Sequence, residues 1–287
     1  MYTARLPQTV SFRIAYFLHR SHILFLTIVL LLGTKTTARR WCVSQLYYTE
    51  GMQKFAVFDI DGTLIRWQLY HAVVDRLAKK GLLGTDAKER LQAARMHWKL
   101  REHPDAFHDY ERELIAVYES ALPSLSAVDF DATVAEIIHE YKGQTYTYTR
   151  DLIARLKAEG YLLLAISGSH EELVKAIAEE YGFDDWIGSK YQRKDGRFTG
   201  RAEIASFDKR THLTALIEKH QLTTKDSYAV GDSQSDAAML EMVDHPIAFN
   251  PDQKLFTRAK QAGWRVVVER KNVIYELEPR DGSYVLA

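Results

Sequence analysis

Two aspartates, Asp59 and Asp61, stand one residue apart at the end of the apolar run FAVF, residues 55–58. Carboxylates this close repel each other, so the pair predicts either a positively charged partner or a solvated strand end. Side chains alternate along extended backbone, so both aspartates can face the same site. A calcium loop is excluded, because it needs glycine where Leu64 stands and glutamate where Tyr70 stands. The spacing therefore indicates chemistry at a strand end.

Polar residues also follow two later apolar runs. The segment SGS at 167–169 follows YLLLAI at 161–166, and GDSQSD at 231–236 follows SYAV at 227–230. The carboxyl ends of parallel strands meet at one edge of a sheet, where ligands bind, so these segments are expected to converge. The carboxylates brought together there would be Asp59, Asp61, Asp232 and Asp236. Such a group needs a cation, and Mg²⁺ prefers oxygen ligands of this type.

These residue types suit phosphoryl transfer. An aspartate can attack phosphorus and form an aspartyl-phosphate, which divides a difficult hydrolysis into two easier steps. A carboxylic acid two residues from the nucleophile can protonate the leaving alkoxide and then activate water, for about 10²–10⁴-fold in rate. A metal ion would shield the incoming phosphate and orient the attack. Donors to the phosphoryl oxygens would come from a lysine, Ser167 and the backbone N–H groups of Gly62, Thr63 and Gly168.

The elements that must position these residues alternate between strands and helices. Apolar runs predict strands at 55–58, 161–166, 227–230, 247–249 and 265–268. Residues 186–203 predict a hairpin, because Asp195-Gly196 is a strong two-residue turn signal. Strands separated by helices indicate an α/β fold, with a parallel sheet covered by helices on both faces.

A long segment between the first two strands, residues 66–147, is mostly helical in pattern. Leu69, Val73 and Leu77 mark one amphipathic helix that Gly81 ends. A stretch of about 80 residues is too long for a loop inside a compact domain, so it is predicted to be an inserted helical subdomain. The predicted domains are a basic and apolar extension at 1–51, a catalytic core at 52–65 and 148–287, and a helical cap at 66–147.

Four segments, in order, resemble the motifs of the haloacid dehalogenase-like (HAD) hydrolase superfamily: FDIDGTL, AISGS, FDKRTHLTAL and VGDSQSDAAML. The helical insert, the DGRFTG hairpin and IAFNPDQKL resemble its phosphoserine-phosphatase-like branch, which carries a helical cap between the first two motifs. The resemblance covers about residues 52–270. It implies a Rossmann-like core and a Mg²⁺-dependent phosphomonoester phosphatase that acts on a small phosphorylated metabolite.

The resemblance also implies residue roles. Asp59 would be the nucleophile, Asp61 the acid and base, and Lys209 the stabiliser of developing charge. The residues expected to bind phosphate or substrate are Gly62, Thr63, Gln68, Ser167, Gly168 and Asn250. The residues expected to hold Mg²⁺ are Asp59, Asp61 through its carbonyl, and Asp232, with Asp236 supporting both the metal and the lysine.

The substrate is left open by one departure from this branch. Phosphoserine phosphatases usually have a glutamate nine residues after the nucleophile, where it meets the substrate's amine, and here that residue is the neutral Gln68. The alternatives are phosphoserine hydrolysis proper, phosphotransfer by an enzyme of the same superfamily, and a non-catalytic metal-binding or phosphate-binding module. All four motifs keep their functional residues, which favours a catalyst over the binding module.

Residues near the second motif have structural explanations. Ser169 followed by Glu172 fits a capping box, so Ser169 is predicted to be a helix N-cap. His170 is predicted to lie at the surface or to line the substrate site. The eleven histidines show no metal-ligand spacing.

Charge is unevenly distributed along the chain. The formal net charge is zero, so no attraction to nucleic acid is implied. Residues 1–51 hold six of the 38 Lys and Arg residues and one of the 38 acids, which leaves a net charge of −5 for residues 52–287. Cys42 is the one cysteine, so no disulfide forms within the chain. The sequence indicates no oligomeric state.

The N-terminal segment contains an apolar run, Ile23–Leu32, behind basic residues. Its ten residues suit a signal-peptide core, whereas about 20 are needed to span a bilayer. Residues 12–33 reach that length only by burying Arg20, which is costly. Three interpretations stay open: an extension upstream of Met52 in a cytoplasmic protein, a membrane anchor, and an export signal.

Overall fold

The computed structural model describes residues 14–17, 25–29, 43–45 and 52–287. The first three ranges are the strands β1 (Ile14–Phe17), β2 (Phe25–Val29) and β3 (Val43–Gln45), which pair antiparallel in a sheet of their own. They belong to the unit Met1–Met52, and Gln53–Ala287 forms a second unit.

The apolar segment 12–33 lies mostly outside the described residues. The anchor, the export signal and the cytoplasmic protein with an upstream extension therefore stay predictions. Within the part of the chain that the structure describes, every helix is too short or too polar to cross a bilayer.

The second unit alternates strands and helices. Its strands are β4 (Gln53–Phe58), β5 (Leu162–His170), β6 (Asp185–Lys194), β7 (Arg197–Glu203), β8 (Leu222–Gly231), β9 (His245–Phe249), β10 (Arg265–Arg270), β11 (Val273–Arg280) and β12 (Ser283–Leu286). Its helices are α1 (Leu69–Lys79), α2 (Ala87–Leu100), α3 (Ala106–Ala121), α4 (Ala127–Tyr141), α5 (Thr147–Ala158), α6 (Glu171–Tyr181), α7 (Lys209–His220), α8 (Ala237–Leu240) and α9 (Gln253–Ala262).

Strands β4 to β12 form one sheet in the order β12-β11-β10-β9-β8-β4-β5-β6-β7. The six neighbouring strands from β10 to β6 are parallel, and antiparallel strands are added at both edges. The chain leaves β4 for β5 on one side and later returns to β8 on the other. Such a reversal of strand order is where open α/β sheets bind ligands. The predicted α/β class with a parallel, Rossmann-like core is confirmed.

Both faces of the sheet are covered, because successive side chains of β4 point to opposite sides. Ala56 and Phe58 join a hydrophobic cluster with α1 to α6. Phe55 and Val57 join a second cluster with α7, α8 and α9. All four side chains are fully buried, which explains why residues 55–58 of this strand are a continuous apolar run rather than an alternating one.

Helices α1 to α5 occupy the chain between β4 and β5. In α1 the residues Leu69, Val73 and Leu77 are buried, as their spacing indicates. In α3 the buried residues include Leu114 and Tyr118. The division of this unit into a catalytic core and a cap stays a prediction.

The C-terminal hairpin corrects the predicted set of strands. β11 and β12 were not expected, because their residues are mostly exposed and several are charged, so they lack the apolar run of a central strand. They pair at the edge of the sheet, where exposure is tolerated. The predicted hairpin at 186–203 is formed by β6 and β7, with positive φ at Asp195 and Gly196.

We predict that Gly188→Ala destabilises the fold next to the site. A Cβ at Gly188 of β6 would lie 2.6 Å from the backbone Cα of Glu171, the first residue of α6, so strand and helix must separate. Overpacking of this kind costs about 1–3 kcal/mol in the free energy of unfolding, which urea denaturation measures.

The matched control is Gly143→Ala, where an added Cβ meets no atom within 4 Å. This change should leave the unfolding free energy unaltered or raise it by up to about 1 kcal/mol. Equal stability of the two variants would contradict the crowding of Gly188.

Candidate active site

The polar segments that follow β4, β5 and β8 lie together at the carboxyl edge of the sheet. Phe58 pairs with Ala165 of β5 and with Val230 of β8, so the three strands end at nearly the same level. The polar residues that come next along these strands are Asp59, Ser167 and Asp232.

Lys209, the first residue of α7, carries the positive charge next to Asp59. Its Nζ donates to Asp59 Oδ1 and Asp236 Oδ1, both at 2.6 Å, and to the carbonyl of Ile166 at 2.9 Å. The side chain is 2% exposed. Burial lowers the pKa of the ammonium group, but the two carboxylates outweigh burial and raise it above the ordinary value. Lys209 is therefore protonated and holds one oxygen of Asp59 in a fixed direction.

Asp61 has different partners from Asp59. Its carboxylate accepts hydrogen bonds from the Ser167 hydroxyl at 2.7 Å and from the backbone N–H of Leu69, the first residue of α1. The Ser167 hydroxyl oxygen also accepts from the N–H of Ser169 at 3.1 Å. Neighbouring aspartates thus face separate hydrogen-bonding groups, one an ammonium and the other neutral donors. This separation explains how two buried carboxylates can stand one residue apart.

Three carboxylates form a candidate metal site. Asp59, Asp232 and Asp236 each offer an oxygen within 4.8 Å of the others. Burial raises the pKa of both Asp59 and Asp232, and the neighbouring carboxylates add to the rise, although Lys209 opposes it. A hard divalent cation such as Mg²⁺ would relieve this repulsion, so the donor set fits the metal expected from the sequence.

The three carboxylates are not equally available. Asp236 already accepts from Lys209 and from the backbone N–H groups of Asp232 and Ser233, at 3.0 and 2.9 Å. Among the residues that the structure describes, none donates a hydrogen bond to the second carboxylate oxygen of Asp59. None of these residues donates to the side chain of Asp232 either. Asp59 and Asp232 are therefore the two side chains able to bind the ion directly, while Asp236 fixes its surroundings.

Gly62 is required by the closeness of these groups. Its φ is +78°, and a Cβ there would lie 2.1 Å from Asp232 Oδ2 and 3.1 Å from Gln68 Nε2. A side chain at this position would displace the carboxylate that is expected to hold the metal. The glycine therefore lets the backbone approach the site closely.

The other residues predicted to bind phosphate or substrate differ in location. Gln68 and Gly168 line the cleft above the aspartates. Thr63 is fully buried, and its hydroxyl has no hydrogen-bond partner among the described residues. Asn250 lies apart from the cleft, with its side-chain oxygen accepting from the backbone N–H of Glu269 on β10 at 2.9 Å.

A cleft of about 400 Å³ opens above the aspartates. Its floor contains Asp59, Asp61, Lys209 and Asp232. The wall residues that were not predicted from the sequence include Tyr70, His71, Phe107, Glu111, Ile115, Glu119, Tyr191 and Phe207. The cleft residues of α3 recur every four positions, a spacing that places them on one face of a helix. Only the fold shows that this face meets the cleft.

The structure corrects two predictions for residues after the second motif. Helix α6 begins at Glu171 with His170 in the cap position, and no side chain caps it, so Ser169 is not the N-cap. His170 is fully buried instead of exposed, and its Nε2 lies 2.7 Å from the Tyr118 hydroxyl. Burial, together with the charge of Arg193, lowers the pKa of His170 to about 3, so the ring is neutral. Strand β5 continues further than its apolar run, which carries both residues inward.

Comparison with known proteins gives a family match over the same residues. The family model of the haloacid dehalogenase-like hydrolases matches residues 56–241 of this sequence. A histidinol-phosphatase of Neisseria meningitidis is 27% identical over 224 residues, which cover 75% of this chain and 99% of that protein. A phosphoserine phosphatase of Lactococcus lactis is 30% identical over 196 residues, 67% of this chain and 82% of that protein.

Solved structures share the fold. A Bordetella pertussis protein of unknown function superposes with a TM-score of 0.61 at 24% identity, covering 75% of this chain and 98% of its own. A phospho-aspartyl intermediate analogue of phosphoserine phosphatase gives a TM-score of 0.54 at 21% identity, covering 77% and 95%. At these identities the likeness concerns the fold alone.

The burial of His170 predicts a pH-dependent stability. Its pKa is about 3 in the folded chain and about 6.5 when unfolded, so the unfolded state binds more protons between these values and stability falls as pH falls below 6.5. From pH 7.5 to pH 5 this group should remove about 2 kcal/mol of unfolding free energy. Urea denaturation at the two pH values should show that His170→Gln loses less stability over this range than the unchanged protein.

The matched control is His139→Gln, which replaces an exposed histidine of α4. It should keep the full pH dependence of the unchanged protein. An identical pH slope for His170→Gln and His139→Gln would contradict a buried, neutral His170.

Proposed function

The chain belongs to the haloacid dehalogenase-like hydrolase family, and from this we propose that it is a Mg²⁺-dependent phosphatase that hydrolyses small phosphomonoesters through an aspartyl-phosphate at Asp59. The observation that carries the proposal is the contact between Lys209 and Asp59. The ammonium group favours the ionised carboxylate and fixes one oxygen, while the other oxygen stays available at the floor of the cleft. Relatives that are named phosphatases support the same reaction class.

In the first step a carboxylate oxygen of Asp59 would form a bond to phosphorus as the bond from phosphorus to the ester oxygen breaks. Asp61 would give its proton to the leaving alkoxide. The Ser167 hydroxyl and the Leu69 N–H donate hydrogen bonds to the carboxylate of Asp61 and orient it for this transfer. These bonds keep Asp61 apart from the nucleophile Asp59. In the second step Asp61 would take a proton from the water that attacks the phosphoryl group, which releases phosphate and restores Asp59.

Negative charge on the phosphoryl oxygens would be stabilised by groups of the protein and by the metal ion. Lys209 would contribute its positive charge next to Asp59, and the backbone N–H groups of Thr63 and Gly168 are the hydrogen-bond donors that we assign to the phosphoryl oxygens. Mg²⁺ bound by Asp59 and Asp232 would neutralise the remaining charge and favour in-line attack. Asp236 would keep Lys209 and the loop of Asp232 in place through its hydrogen bonds.

The relatives narrow the class of substrate. Histidinol phosphate and phosphoserine, the substrates that their names state, are both phosphate esters of a primary alcohol that also carries an amino group. We propose that this chain acts on a phosphomonoester of the same size. The neutral Gln68, which lines the cleft, offers no charge to an amine, so recognition of that group must come from elsewhere.

We predict that Asp59→Asn loses at least about a thousandfold in turnover of p-nitrophenyl phosphate with Mg²⁺, because an amide is a poor nucleophile. Activity should be measured together with a circular dichroism spectrum and a thermal melt, since the change also leaves Lys209 with one carboxylate fewer. Removal of Mg²⁺ with EDTA should abolish turnover by the unchanged protein.

Asp151→Asn is the control, because Asp151 lies exposed on α5 and pairs only with Arg150 among the described residues. It should keep full activity. Turnover by a folded Asp59→Asn protein at the level of this control would contradict the nucleophilic role of Asp59.

A further inference from the structure

Helix α3 presents a stripe of three residues to the cleft. Glu111, Ile115 and Glu119 are spaced four residues apart, so they lie on one face of the helix, and all three line the cleft. The backbone positions of Glu111 and Glu119 are about 12 Å apart along the helix axis. The cleft therefore has acidic groups on a wall that is distinct from its phosphate-binding floor.

Only one of these carboxylates already has polar partners. Glu111 lies 3.6 Å from His71 Nε2 and 3.1 Å from His108 Nδ1. Burial raises the pKa of Glu111, but the two histidines outweigh burial and lower it. Glu119 forms no ion pair or hydrogen bond with the residues that the structure describes. Its negative charge is free to meet a ligand.

Two tyrosines line the cleft together with Glu119. The rings of Tyr70 and Tyr191 stack on the buried His170, at centroid distances of 5.4 and 4.4 Å. Burial raises the pKa of Tyr191 to about 12 and that of Tyr70 above its ordinary value, and the nearby charge of Glu119 contributes to both. The phenols are therefore neutral, and both line the same cleft as this carboxylate. Aromatic rings and a carboxylate together suit an organic cation.

The described part of the cleft offers no second lysine or arginine, and its two histidines already contact Glu111. Among the described residues that line it, Lys209 is the only lysine or arginine, and Asp59 and Asp236 already hold it. A carboxylate on a substrate would thus find no lysine or arginine that is free to pair with it.

An unsatisfied hydroxyl indicates, independently of the acidic wall, that the cleft is built for a ligand. Ser169 lines the cleft and is almost fully buried, and its Oγ has no hydrogen-bond partner among the described residues. A buried hydroxyl without a partner is costly, so a polar group of a bound molecule is the natural partner.

We propose that the cleft selects phosphomonoesters that carry an organic cation, an ammonium or imidazolium group, and no carboxylate, with Glu119 as the counter-charge. The inference rests on the proposed function. Glu119 then supplies from α3 the charge that Gln68 does not supply from the start of α1. An amino-alcohol phosphate of the histidinol phosphate type fits this wall better than phosphoserine, because phosphoserine brings an extra carboxylate close to Glu119.

The test compares matched esters on the full-length chain with Mg²⁺. The probes are ω-aminoalkyl phosphates of two to five carbons, the ω-hydroxyalkyl phosphates of equal length, L-histidinol phosphate and L-phosphoserine. We expect kcat/KM for the best aminoalkyl ester to exceed that of its hydroxyalkyl counterpart by about tenfold or more, as for a charged hydrogen bond. The kcat/KM for histidinol phosphate should exceed that for phosphoserine. Comparison of histidinol phosphate with the aminoalkyl esters separates the contribution of an imidazolium group from that of an ammonium group.

Glu119→Gln should reduce the ratio of the amino to the hydroxy ester about tenfold or more. Glu113→Gln is the matched control, because Glu113 lies on the same helix, pairs with Arg90 and does not line the cleft. It should keep the ratio of the unchanged protein, because a ligand in the cleft does not meet its carboxylate.

Two outcomes would overturn the inference while leaving the proposed function intact. One is equal hydrolysis of amino and hydroxy esters. The other is an unchanged ratio in Glu119→Gln. Failure to release phosphate from any ester, p-nitrophenyl phosphate included, would instead contradict the proposed function and the inference with it.

Discussion

The ammonium group of Lys209 is buried between the carboxylates of Asp59 and Asp236, and the rest of the site is arranged around this contact. A buried charge is tolerated only with close partners, and loss of one partner of a buried pair costs about 3–5 kcal/mol. The contact joins α7 to the end of β4 and to the loop after β8. It also leaves Asp59 with one fixed and one free oxygen. A hydrogen bond to the backbone of Ile166 ties the same ammonium to β5.

The floor of the site was largely predictable from the sequence, and its wall was not. Asp59, Ser167 and Asp232 each follow an apolar run, so local pattern together with the rule for parallel strands places them at one edge. Lys209 stands 150 residues from Asp59, at the start of a helix with no distinctive pattern, and only the resemblance to a family assigned it. The residues of α3 depend on how that helix packs, which no local signal determines.

The predictions that the structure corrects share one physical cause, which is that local pattern does not determine burial. Ser169 and His170 follow an apolar run and precede a helix, a pattern typical of a cap or an exposed turn. Strand β5 instead carries them into the interior, where aromatic rings surround His170. β11 and β12 were missed for the opposite reason, because edge strands can be built from exposed and charged residues. In both cases tertiary surroundings decided burial. The same surroundings give the cleft a floor suited to an anion and a wall suited to a cation.

The central claim is that Asp59 forms a covalent bond to phosphorus. Its most direct test is to mix the protein with p-nitrophenyl phosphate and Mg²⁺, quench with acid within one turnover, and map the phosphoryl group on proteolytic peptides by mass spectrometry. The account predicts phosphate on Asp59, lost when the quench is delayed until the substrate is consumed. Phosphate on another residue, or turnover with no phosphorylated Asp59 peptide at any quench time, would contradict it.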